Sequence, residues 1–465
     1  MRIFITLTLF ILFSSQLLAS ENKSLPKRLD TLMKTANELV GFNGAILVGT
    51  STKVLYHNRI GFADKQKKLQ LTEQHLFSAG SIAKELTTVA IMKLVEDGKI
   101  SYQDSVSKYF PKLNPWANKV TIKHLMTHTS GLPRIHWIDN VDSVDVAEQI
   151  EKIEKLAFTP GEGFLYGNIN IVLRAHIVEA VTKMDFQAFL QQQIFDVANM
   201  RHSVNPGSMK QHTASMVYKI DPNAIEGMTF FTTPYDIYQF ELALWQQKFI
   251  LAQSIKAALP GDLLSGSSTR ALFDFGRFSV NSKNELLSWE HDGNSPPDHY
   301  ALKFHDFEND LIIVMMSSDG NRTTLFDLKL SILSIINDGN SEIPLAWWFQ
   351  NEMTIQGFDG AYNQLQQRFG QDTKADNLEF DVNRLGYKLL IANKAKQAVR
   401  LFKLNVTHYP FSANAYDSYG EALIKSDQLI EASNILKQGL ALAKQQKNGP
   451  LVKSLTEQIQ GISQQ

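Results

Sequence analysis

A chain of 465 residues has room for two or three domains, each with an ample core. Its 44% apolar and 20% charged content are those of an ordinary folded protein, and a net charge of -1 gives no electrostatic basis for gripping nucleic acid or an anionic membrane surface. There is no cysteine, which excludes disulfides, thiol catalysis, zinc–thiolate sites and a cysteine-linked lipid anchor.

The first twenty residues read as a secretory signal: Arg2, the apolar run Ile3 to Leu18, then the small residues Ala19 and Ser20. Ser14, Ser15 and Gln16 break the run, which favours cleavage over a retained membrane anchor. The expected domains are therefore 1–20 as signal peptide, 21–343 as the first folded domain and 344–465 as the second. The mature chain is expected to be exported, periplasmic or secreted, with no membrane span.

Asn43 to Val48 and Val54 to Phe62 are β-rich runs around Gly49-Thr50-Ser51-Thr52-Lys53 and predict an antiparallel hairpin. Phe77-Ser78-Ala79-Gly80-Ser81-Ile82-Ala83-Lys84 opens a helix that ends at Gly98. Ser81 falls in its first turn, and Lys84, three residues on, shares its face. A serine with an amine neighbour at a helix N-terminus suits acyl transfer, yet it suits a helix cap as well. The Ser-x-x-Lys spacing recurs at Ser20, Ser24 and Ser105, so it decides nothing alone.

From Asp104 to Met200 the pattern is helical, with turns at Pro111, Pro115, Gly131-Leu132-Pro133 and Pro160-Gly161. His124 and His128 have a metal-binding helical spacing without the intervening carboxylate of zinc proteases, so they read as structural. No metal and no cofactor is expected. Tyr166 and Asn168 follow the Pro160-Gly161 turn and precede an apolar helix from Ile169 to Val181. Their spacing offers a phenol for proton transfer and an amide for a substrate carbonyl. Tyr56 and Asn58 share that spacing inside the hairpin, where they merely face one side.

Thr233-Pro234-Tyr235-Asp236 is a helix start, with Thr as N-cap and Pro at the first position. Leu286 to Glu290, His299 to Phe304 and Leu311 to Ser317 read as strands, the last central in a sheet. A helix from Leu325 to Asn337 follows. Strands at both ends with helices between them imply an α+β layer carrying an inserted helical region. At Trp289-Glu290-His291-Asp292-Gly293-Asn294 the adjacent His and Asp do not make a Ser-His-Asp triad, since strand neighbours point to opposite faces. No Gly-x-Ser-x-Gly elbow is present, which argues against an α/β-hydrolase.

Beyond Pro344 a 34-residue period pairs Gly386 with Gly420, Leu389 with Leu423, Ala398 with Ala432 and Phe402 with Leu436. Asp381 to Lys447 thus resembles two tetratricopeptide-like units, with opening and closing helices at Phe358 to Phe369 and Leu451 to Ile462. An all-α repeat domain that recruits a peptide or protein partner is expected.

Four ordered stretches together resemble the serine β-lactamase and penicillin-binding protein superfamily, in its class C β-lactamase-related branch. They are Phe77 to Lys84, Thr121-Ile122-Lys123-His124-Leu125-Met126-Thr127-His128-Thr129-Ser130-Gly131-Leu132-Pro133, Pro160 to Asn168, and His291-Asp292-Gly293. The resemblance spans Leu25 to Asn337 and implies a β-lactamase/transpeptidase-like antiparallel sheet flanked by helices. It implies Ser81 as nucleophile, Lys84 as its deprotonating aid, Tyr166 as proton shuttle to the leaving group and Asn168 as substrate ligand. His291 stands where many relatives have Lys, and Gly293 admits the substrate. An oxyanion hole of the Ser81 and Asn294 backbone N–H groups is implied as well. A free lysine titrates at about 10.4, so a neutral Lys84 at pH 7 needs an environment worth roughly 4 kcal/mol. Which of Lys84 and Tyr166 takes the proton first stays open.

His291 removes a permanent cation that would bind a substrate carboxylate, and Asp292 is expected to place a second negative charge beside the site. The loop Ser295-Pro296-Pro297-Asp298 replaces the usual glycines. These departures favour an esterase or peptidase acting on an ester, amide or D-amino-acid peptide. The alternatives are a class C-type β-lactamase and a non-catalytic peptide-binding scaffold with a vestigial hydrolase core.

Overall fold

The computed structural model describes residues 24–134, 148–204, 217, 230–259, 269–270, 273–295, 298–319, 322–337, 343–371 and 378–463. The expected signal segment and the two prolines at 296 and 297 lie outside the described residues. Two compact units divide the chain, one reaching Ser341 and the other starting at Glu342.

The first unit is built on a seven-stranded antiparallel sheet. Its strands are β1 (Gly44–Gly49) and β2 (Val54–Ile60), then β5 (Thr269–Arg270), β6 (Arg277–Val280), β7 (Leu286–Ser295), β8 (His299–Asp306) and β9 (Leu311–Ser317). The order across the sheet is β2-β1-β9-β8-β7-β6-β5, so the N-terminal hairpin joins the late strands through β1 and β9. Every residue of β1 and of β9 is buried, which explains why their sequences are apolar runs rather than alternating patterns. Beside the main sheet, β3 (Phe77–Ser78) pairs with β4 (Phe231–Thr232).

Two helices, α1 (Leu25–Val40) and α6 (Arg322–Asn337), pack on each other; α1 contacts β2, and α6 contacts β8 and β9. The inserted helical region holds α2 (Lys84–Glu96), α3 (Ile122–Met126), α4 (Ile169–Thr182) and α5 (Pro234–Trp245). The last starts as expected: Thr233 accepts the Asp236 N–H and Pro234 fills the first turn. Helix α2 is a core helix, buried from Lys84 through Met92, and α4 packs against it. The charges that α2 and α4 carry inside, Lys84, Glu85 and Arg174, therefore need partners within the protein.

The second unit is all helical among the described residues. It comprises α7 (Leu345–Gln371, broken at Gly357 with φ +76°), α8 (Leu378–Ile391), α9 (Ala395–His408), α10 (Ala413–Lys425), α11 (Leu429–Gln445) and α12 (Gly449–Ser463). Gly386 of α8 lies against the Phe402 ring of α9, and Gly420 of α10 against Leu436 of α11. A Cβ at either glycine would stand 2.4 or 2.2 Å from its neighbour. The 34-residue spacing thus marks equivalent close helix–helix approaches.

Candidate active site

Helix α2 begins only at Lys84, and Ser81 lies just ahead of it in a 3₁₀ turn, Gly80–Ala83. Residues three apart eclipse in such a turn, so Lys84 still faces Ser81. Its Nζ donates to Ser81 Oγ at 3.1 Å, and Tyr166 Oη lies 3.1 Å from the same oxygen. Lys84 is 6% exposed, and its Nζ stands 5.3 Å from the Tyr166 ring centre. Among the described residues Ser81 Oγ bonds Tyr166 and Lys84 and no helix N–H, so the cap that its position also suits is not the use the fold makes of it. A hydroxyl touched by an amine and a phenol is placed to lose its proton as it attacks a carbonyl.

Strand β7 passes this turn at van der Waals range. Gly80 is left-handed (φ +54°), and a Cβ there would stand 2.5 Å from Asn294 N. A Cβ on Gly293 would stand 2.2 Å from Ala79 O and 2.9 Å from Ser81 N. Only glycine fits either place, and the contact brings the Ser81 and Asn294 amides to one edge. Asn294 is exposed there.

Because side chains alternate along a strand, His291 shares the Gly293 face and Asp292 the opposite one. Asp292 accordingly does not add charge to the site: Arg322 of α6 grips it with Nε and Nη2 at 2.7 and 2.8 Å. That corrects the expectation of a second negative charge beside Ser81. His291 Nδ1 lies 2.5 Å from Glu85 Oε1. Glu85 Oε2 in turn meets Lys303 Nζ at 2.7 Å, and Lys303 meets Glu241 at 2.5 Å. Glu241 also holds His305 Nδ1 at 3.1 Å and accepts the Trp245 indole N–H at 2.6 Å. Burial alone would raise the Glu241 carboxyl, but Lys303 and His305 outweigh it and bring it down to about 2. Burial likewise works against the Lys303 cation, and the two carboxylates overcome it and raise its affinity for the proton.

Tyr166 is held by the segment whose sequence carries no expected chemistry. His128, left-handed at φ +56°, accepts the Leu165 N–H on its carbonyl at 2.9 Å and the Gly167 N–H on Nδ1 at 3.4 Å. Its ring leans on Tyr166 with centres 4.6 Å apart. Asn170 Nδ2 lies 3.1 Å from Nδ1, and Nε2 is 2.8 Å from Asp274. Asp274 bonds the fully buried Arg174 at 2.7 Å. Burial would lift the Asp274 carboxyl, but Arg174 and then His128 hold it well below the usual carboxylate range. Burial lowers the Arg174 guanidinium, against the pull of Asp274.

His124 and His128 do not come together on a helix. Helix α3 stops at Met126, and His124 closes a capping box with Thr121. No cluster suited to a metal ion is found among the described residues. Tyr56 and Asn58 both donate to Asp30 at 2.7 Å, which disposes of that Tyr-x-Asn match. Asn168 stands half-buried at the N-terminus of α4, and among the described residues its side chain makes no hydrogen bond. Sequence reasoning passed over Glu85, Lys303, Glu241, Arg174 and Asp274. The available signal was a charge inside an apolar run, as at Lys303 within His299 to Phe304 or Arg174 within Ile169 to Val181.

A serine touched by a lysine and a tyrosine just ahead of a buried helix, in a unit built on an antiparallel sheet, is the arrangement of a serine hydrolase of the acyl-enzyme kind. The chain belongs to the Beta-lactamase family, which residues 29–332 match. It is 29% identical over 304 residues to Penicillin-binding protein 4* of Bacillus subtilis (strain 168), covering 58% of this chain and 67% of that one. Its fold is that of the octameric penicillin-binding protein homologue from Pyrococcus abyssi, with a TM-score of 0.57 at 21% identity over 71% of this chain and 82% of the other. A class C beta-lactamase gives a TM-score of 0.56 at 19% identity, covering 67% of this chain and 96% of that one.

Proposed function

We propose that the protein hydrolyses an ester, amide or D-amino-acid peptide through an acyl-enzyme on Ser81, as an esterase or peptidase more than as a β-lactamase. The observation that carries this reading is the pair of 3.1 Å contacts that Lys84 Nζ and Tyr166 Oη make with Ser81 Oγ. Ser81 Oγ bonds to the acyl carbon as its proton passes to the Lys84–Tyr166 pair. Tyr166 hands a proton to the departing alcohol or amine, whose bond to the acyl carbon breaks. Water then attacks the acyl carbon and loses a proton to the same pair, which returns one to Ser81 Oγ as the bond from that oxygen to the acyl carbon breaks. The developing oxyanion is held by the backbone N–H groups of Ser81 and Asn294, supported by the close approach that Gly80 and Gly293 permit. Asn168 and His291 bind the substrate's flanking polar groups.

Export through the expected signal segment accords with the family's penicillin-binding relatives. Among the described residues no helix is long and apolar enough to cross a membrane. The second unit is proposed as a tetratricopeptide-like platform for a peptide or protein partner, on the repeated glycine contacts of Gly386 and Gly420.

Ser81→Ala is the test. It is expected to abolish hydrolysis of an activated aryl ester and any mass adduct from a fluorophosphonate, with the unfolding midpoint retained. Unchanged turnover would sink the assignment. In the unmodified chain, an adduct from the fluorophosphonate but none from a penicillin would favour the esterase side, and a penicillin adduct that turns over would favour the β-lactamase.

A further inference from the structure

We infer that Glu85 is a positioning residue for this site, fixing the ring of His291 so that Nε2 is offered to a negatively charged group of the substrate. The inference rests on the acyl-transfer reading above and concerns which substrates it admits. Glu85 is fully buried and spends one carboxylate oxygen on His291 Nδ1, at 2.5 Å, and the other on Lys303, at 2.7 Å. With Nδ1 turned inward, Nε2 is the ring atom left for a ligand, and among the described residues it makes no hydrogen bond. The face of β7 it occupies is the one on which Gly293 meets Ser81.

The charge inventory shows what the ring is packed against. Glu85 and Glu241 bring two negative charges, Lys303 brings one positive, and all three are buried. The cluster is neutral when one of its two imidazoles, His291 or His305, carries a second proton. Glu241 already has Lys303, the Trp245 N–H and His305 as donors. Glu85 shares Lys303 and among the described residues otherwise has only His291, which lies closer to its carboxylate than His305 does to Glu241. His291 is thus the imidazole held by the carboxylate with fewer other donors. Lys303 is also its register partner across β8. On the other elements against this strand, Lys84 turns to Ser81, and Arg277 of β6 stands opposite Glu290 and 4.0 Å from Asp292. A histidine thus stands where a permanent cation would, with its ring fixed by a carboxylate one residue past Lys84.

The test uses the full chain and two aryl esters of one acyl group, phenyl acetate and 3-carboxyphenyl acetate, which differ in the charge of the leaving group. Glu85→Gln is expected to raise KM for the anionic ester about tenfold, to raise it less than about threefold for the neutral one, and to change kcat less than KM. In a His291→Ala background the same substitution should add nothing, because Glu85 acts through that ring. His291→Lys should restore the anionic preference lost in Glu85→Gln. Equal losses on both esters, or additive losses in the double variant, overturn the inference. Hydrolysis that still vanishes in Ser81→Ala would then leave the acyl-transfer reading standing, whereas no Ser81-dependent hydrolysis by the unmodified chain would remove both. Should Glu85→Gln not fold, imidazole nitrogen NMR of the unmodified chain decides: His291 protonated on both nitrogens at about neutral pH supports the inference, and a neutral ring overturns it.

Discussion

At the scale of single residues, this protein keeps several titratable groups in states that acid will reverse. His299 is buried, and its Nδ1 accepts the Ser78 N–H at 3.3 Å, a bond only the neutral ring can make. Burial pulls it from 6.5 to about 4, against the smaller opposing pull of Asp298. The unfolded chain therefore binds a proton that the folded one refuses, and His299 stabilises the fold above pH 6.5 and loses that contribution as pH falls toward about 4. Glu241 and Asp274 are carboxyls lowered from 4.5 and 3.8, so their contribution is present above those values and lost as pH falls through the folded ones. The expected outcome is a urea midpoint that declines in two stages on acidification, and His299→Gln should lessen the first, to which the burial-lowered His57, His75 and His124 also contribute. A midpoint flat from neutral pH down to about 4 would contradict the assignment. None of these partners was legible in the sequence, because Arg174 and Asp274 stand 100 positions apart and His128 and Asp274 stand 146 apart. What was legible was local: Lys84 on the face of Ser81, and Thr233 at the start of α5.

At the scale of elements, the approach of β7 to the Ser81 turn sets the site. Gly293→Ala would drive a Cβ to 2.2 Å from the Ala79 carbonyl, and backbone on backbone cannot yield as a side chain can. The strand must back away, and a displacement on the order of 1 Å at an acyl-transfer centre costs about a hundredfold in rate. Gly293→Ala is therefore expected to lose about two orders of magnitude in kcat/KM for an aryl ester while the far-ultraviolet spectrum is kept; full activity would show that the contact is not needed. The hairpin, β8, β9 and α6 were readable from period and apolar runs. Strands β5 and β6, two and four residues long, were not, since so few residues show no periodicity. Helix α3 ended sooner than the His124–His128 spacing suggested, because His128 is left-handed and is needed under Tyr166.

At the scale of the whole molecule, the described groups that touch Ser81 (Lys84 and Tyr166) come from the unit that reaches Ser341. A chain ending at Ser341 is expected to hydrolyse the aryl ester within about threefold of the full chain, measured as kcat/KM. Loss of turnover with the sheet intact would mean that the helical unit contributes to the reaction. The α+β order of elements and the 34-residue period could be read from sequence because they are written in hydrophobic spacing. The two buried charge clusters could not, since their members come from α2, α4, α5, β7 and β8 and from the loops that carry His128 and Asp274, and local spacing reports at most that such stretches are inside.

The grip of Arg322 on Asp292 has a consequence for how β7 pairs. A slip of one position along β8 would exchange the strand's two faces and present a carboxylate where His291 now stands. Such a slip would strip Arg322 of its partner and push Asp292 toward Glu85 inside the protein, so the misaligned strand is penalised on both faces at once. An outward-facing ion pair, remote from any chemistry, thereby acts as an alignment key, and a helix outside the site keeps a carboxylate from its mouth.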